Sequence, residues 1–140
     1  MLLKPLLAIS LTSLLLMGPA LATTPAPEGA MVYIISPTDG AEVTSPVTVK
    51  FGLKGMGVAP AGTDKEKTGH HHLLIDQESL PDLNLPIPAD DNHKHFGGGQ
   101  TEVSIELSPG KHSLQLLLGD LAHIPHEPPI HSEIITIMVK

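Results

Sequence analysis

The chain has 140 residues, no cysteine, no arginine and a formal net charge of −7. The missing cysteine excludes a disulfide framework and thiolate chemistry. The acidic balance, with Tyr33, Phe51 and Phe96 as the aromatics, argues against nucleic acid and against anionic lipid as partners.

The chain opens on MLLKPLLAISLTSLLLMGPALA, in which Lys4 precedes an apolar run and Ala20 and Ala22 close it. This is the charged, apolar and small-residue order of a secretory signal peptide, read here as residues 1–22. The apolar run falls well short of the roughly 20 residues a spanning helix needs. No membrane span is expected after cleavage, and the location expected is the periplasm or the extracellular space. TTPAPEG then reads as a disordered leader over 23–30, and residues 31–140 as one domain with a modest core.

Within that domain the apolar pattern has period two. Val47, Val49, Phe51 and Leu53 alternate with Thr48, Lys50 and Gly52. The same spacing returns at Val103, Ile105 and Leu107, at Leu114, Leu116 and Leu118, and at Ile135, Ile137 and Val139. A further strand is expected over 71–75, with Leu73 and Ile75 inward, His71 inward at the rim, and His70, His72 and Leu74 outward. Alternation of this kind marks antiparallel strands with one buried face and one wet face. Turn signals at SPTDG (36–40), SP (45–46) and SPG (108–110) separate them. The pattern predicts an all-β chain, an immunoglobulin-like antiparallel sandwich of about seven short strands. Two long connections, 54–69 and 77–100, interrupt it, and loops of that length in a compact domain usually carry function or disorder.

The chemistry lies in the nine histidines. His70 and His72, two apart on a strand, share a face, and so do His93 and His95 if that stretch is extended. His123 and His126 sit in the proline-rich stretch LAHIPHEPPIH, with His131 just beyond. Successive strands reverse direction, so connections alternate between the two ends of a sandwich. If 77–100 crosses the domain once, for instance through ESLPDLNLPIP, the three pairs meet at one end. The candidate metal ligands are therefore His70, His72, His93, His95, His123 and His126, with Met56 as a soft donor from the glycine-flanked stretch KGMGV. Imidazole donors without thiolate suit copper first and zinc second. The function expected is metal buffering, delivery or sensing, with another periplasmic protein as a candidate partner. Neutral imidazole is the ligating form, so release is expected below about pH 6.

Three other readings stand beside this one. The first is a metal-free interaction module that holds a protein or a cell-envelope ligand. The second is a cluster of imidazoles that responds to pH. The third is a small zinc hydrolase with Asp76, Asp91 or Glu127 as base, although no HExxH, GxSxG or other catalytic motif supports it. No residue is assigned as catalytic.

The ordered set GMGVAPAG, GHHHLLID, HFGGGQTE, LQLLLGD, HIPHEPP and SEIITI resembles an exported bacterial family, the domain of unknown function numbered 4399. The resemblance runs from Gly55 to Val139. It implies export and a single domain, and it groups His70, His71, His72, His95, His123 and His126 as a set. His93, His112 and His131 gain less from it.

Overall fold

The computed structural model describes Gly18 and residues 22–140. The expected signal peptide at 1–22 lies outside the described residues, save for Gly18 and Ala22. Among the described residues no helix is long and apolar enough to cross a membrane. The fold is all-β and built as a sandwich.

Among the described residues nine strands follow in chain order: β1 (Met31–Ser36), β2 (Glu42–Val43), β3 (Val47–Lys54), β4 (Gly57–Val58), β5 (Thr68–Ile75), β6 (His93–His95), β7 (Glu102–Ile105), β8 (Gly110–Gly119) and β9 (Ile135–Val139). Three of these, β2, β4 and β6, are only two or three residues long, which leaves six longer strands against the expected seven. One sheet has the order β1-β3-β7; the other runs β2-β9-β8-β5-β4, with β6 also paired to β5. The longer strands thus place the first, second and fourth in one sheet and the third, fifth and sixth in the other. That is the division seen in immunoglobulin-type sandwiches, here without a strand in the D position.

Alternation builds the core as the sequence predicts. In β3, Val47, Val49 and Phe51 are buried while Thr48 and Lys50 are exposed. They pack with Leu73 and Ile75 of β5, with Leu114, Leu116 and Leu118 of β8, and with Ile137 and Val139 of β9. Each such aliphatic side chain contributes about 1.5–3 kcal/mol by leaving water.

The second face of β5 and β8 departs from expectation. It is not wet: every residue from Gly69 to Ile75 is buried. Leu74 and Leu117 point away from the main core and form a second, smaller one with Ile87, against which Leu80 packs. The cover comes from the long connection after β5. Its middle reaches the far end of the sheet, where Ile87 N–H donates to the His123 carbonyl at 2.8 Å. It then returns, so that Ile75 N–H bonds the Asn92 carbonyl at 2.8 Å, and β6 leads outward again beside β5. The net result is a single crossing, but the chain doubles back to make it.

Residues 24–27, expected in a disordered leader, are docked on the domain. Ala26 N–H donates to the Glu127 carbonyl and Glu127 N–H to the Thr24 carbonyl, both at 2.9 Å.

Candidate metal centre

Three segments converge on the outer face of β5. His70 and His72 project there because residues two apart on a strand share a side. Strand β6 pairs antiparallel with β5 in a register that sets His95 opposite His72. His123 arrives from the turn after β8. There the Asp120 carboxylate accepts from Ala122 N–H at 2.9 Å and from Ile124 N–H at 3.0 Å, while the Asp120 carbonyl accepts from His123 N–H. This tight turn holds His123 at φ 67°, a left-handed conformation uncommon outside glycine.

The ring nitrogens of His70, His72, His95 and His123 offer one ligand atom each, all within 4.8 Å of one another. Ring centroids stand 4.8 Å apart for His70–His72 and His95–His123, 5.0 Å for His70–His95 and 5.1 Å for His70–His123 and His72–His95. His70 Nε2 and His123 Nδ1 are 3.1 Å apart. Two ligands about 2.0–2.1 Å from one ion would show a similar spacing. The group could hold a metal.

Two glycines make room for these rings. A Cβ on Gly119 would lie 2.7 Å from His72 Cε1 and 3.4 Å from His123 Cα. One on Gly97 would collide with the His95 ring. Any larger residue at either place would push a ring out of the group.

The electrostatics suit neutral imidazole. Burial, followed by the neighbouring rings of His95 and His123, lowers the His70 pKa to about 4. Burial and the rings of His70, His95 and His123 lower that of His72 to about 3. His95 stands at the exposed rim and is also lowered, by desolvation and then by His123. Both His72 nitrogens are buried without a hydrogen-bond partner in the protein. Ordinarily a buried polar atom is paired, and leaving one unpaired costs about 1–3 kcal/mol.

The other candidates lie elsewhere. His93 shares the face of His95 but sits opposite Leu74, one step further from His70, and its Nδ1 bonds Asp90 Oδ1 at 2.8 Å. His126 is buried separately: Pro125 bridges Gly119, so alternation turns residue 126 to the other side of the sheet. Met56 packs against the main core. His71 points inward as expected, its ring centroid 5.1 Å from that of Phe51 and its nitrogens unpartnered. His112 bonds Asp76 and the Ser108 carbonyl, each at 2.8 Å. His131 Nδ1 lies 3.1 Å from the Ser132 carbonyl.

Sequence reasoning missed the two glycines and Asp120. The glycines are visible in the sequence, but only the ring positions reveal what they clear. Asp120, two residues before Ala122 in a GD turn, had a readable Asx-turn signal.

Residues 49–140 match the model of a family described as Domain of unknown function (DUF4399). No curated protein and no solved structure matches the chain.

Proposed function

The chain belongs to the DUF4399 family, whose description states no activity, and from the site itself we propose that it is an exported metal-binding module. Its ion is copper, with zinc second, and its work is buffering, delivery or sensing in the periplasm or outside the cell. One observation carries this reading: four imidazoles from three segments present ligand atoms within 4.8 Å of one another. Two of those rings, His70 and His72, are buried and held neutral. Imidazole nitrogen binds copper and zinc well, and divalent copper leads the affinity order among first-row ions.

A four-histidine set also weighs against hydrolysis. Catalytic zinc keeps one position open for water, whereas four protein donors fill a tetrahedral shell. Purified chain from residue 23 onward, without a tag, should retain about one Cu(II) or Zn(II) per molecule after gel filtration. His72→Ala should lose that ion and His93→Ala should keep it. A metal content near zero for both ions in the parent protein sinks the proposal and favours a metal-free interaction module.

A further inference from the structure

The four rings bring no negative charge, so a cation among them would be buried without a counter-charge from its ligands. An isolated buried charge is costly, and nature usually places an opposite charge within reach. Among the described residues, Asp120 is the one buried acidic side chain, 4% exposed. It directly follows Gly119, whose backbone pairs with His70. Its carbonyl accepts from His123 N–H at 3.0 Å, so the residue stands at the base of the turn that carries one of the four rings.

No ring nitrogen of the four has a hydrogen bond to Asp120. One carboxylate oxygen serves Ala122 N–H and Ile124 N–H, and the other accepts from Thr24 Oγ1 at 2.7 Å. The group is therefore fixed from three directions, beside the Gly119 position that pairs with His70. Thr24 lies just beyond the expected cleavage site, so the start of the exported chain takes part in holding it.

Resting on the metal-binding reading, we propose that Asp120 is a positioning and charge-compensating residue. It shapes the turn that presents His123, and its charge favours a divalent over a monovalent cation in the four-histidine site.

The two roles separate in Asp120→Asn. Asparagine keeps an oxygen for the two turn N–H groups, and its amide can donate to Thr24, so the turn survives without the charge. Zn(II) and Ag(I), both stable to redox change, are the probes, measured by competition against a chelator of known affinity. Outer partners of metal ligands typically carry about 10- to 100-fold in affinity. Coulomb energy scales with the charge of the ion. Zn(II) affinity should thus fall about 10- to 100-fold and Ag(I) affinity by about the square root of that factor.

Equal losses for the two ions, or no loss for either, overturn the role of Asp120 and leave the metal reading intact. A parent protein that binds neither ion overturns the role of Asp120, and the metal reading falls with it if Cu(II) is not retained either. Thr24→Lys provides the same test without touching the turn, by setting a cation against the carboxylate. The Zn(II)-to-Ag(I) affinity ratio should fall in this variant, and an unchanged ratio refutes the charge role even if Asp120→Asn does not fold.

Discussion

Two ends of strand β5 carry histidines in opposite circumstances. At the end marked by Ile75, His112 lies between the Asp76 carboxylate and the Ser108 carbonyl, each 2.8 Å away. Burial alone would lower its pKa, but these two acceptors outweigh burial and raise it. At the other end, His70, His72, His95 and His123 face one another, and the pKa values of the first three are pushed down. The same side chain is thus a satisfied clasp at one end and, in His72, a buried ring without a partner at the other. What separates them is the partner. A histidine that has found a carboxylate is committed to structure, and a group of histidines that has found only other histidines is prepared for a cation.

The widest break in this comparison should come from acid. A folded-state pKa lowered from 6.5 to about 4 or about 3 means that the unfolded chain takes up protons that the folded chain cannot. Stability should be unaffected by these rings above pH 6.5. It should decline as pH falls from there toward 4, since each tenfold weakening of proton affinity on folding corresponds to about 1.4 kcal/mol. Urea melts at pH 7.5 and pH 4.5 would read a loss on the order of several kcal/mol. An unchanged midpoint would contradict the burial of His70 and His72. The lowered values also revise the sequence-based expectation of metal release below about pH 6. His70 and His72 stay neutral well below that, so proton competition at these two ligands should not release zinc at pH 5.5, a retention that equilibrium dialysis would check.

Crowding the cluster should have the next largest effect. Gly119→Ala sets a methyl group against the His72 ring and the His123 backbone, and overpacking of this kind costs about 1–3 kcal/mol. Thermal melts should show the loss, and zinc affinity should fall with it because two of the four rings must move. An alanine variant with unchanged stability and affinity would mean that the rings do not need this space.

The smallest effect belongs to the other end. Because the folded pKa of His112 is raised, its bond to Asp76 adds stability that is complete below about pH 6.5 and disappears as pH rises through the folded value. Asp76 is 40% exposed, so solvent screens the pair and the gain should stay under about 1 kcal/mol. His112→Gln should therefore be less stable than the parent at pH 6 and equal to it at pH 9. It should bind zinc as the parent does. The sign of this slope is opposite to that of the cluster, and finding the same sign at both ends would collapse the distinction between them.

Much of the fold was legible because extended backbone reports itself locally. The burial of Val47, Val49 and Phe51 against the exposure of Thr48 and Lys50 follows directly from side-chain alternation. So does the shared face of His70 and His72. What misled the reading was the cover on the outer face. Leu74 and Leu117 look like members of a wet face until Ile87, from a segment rich in proline, is seen to close over them. A continuous apolar run in β5 and β8 was the available signal, since strands buried on both faces lose their alternation.

By itself, then, the amino-acid sequence determined the strands, the sandwich class, and the H-x-H pair that starts the site. These depend on residues a few positions apart. Only the tertiary structure decided which other histidines join that pair. Register between β5 and β6 put His95 opposite His72 and left His93 opposite Leu74, where Asp90 takes it. The turn held by Asp120 brought His123 to the rings, while alternation after Pro125 turned His126 away. A shift of one strand position, about 3.3 Å, would have changed the set of ligands. Nothing in a local pattern encodes that distance, because it is set by where a segment docks on strands far from it in sequence.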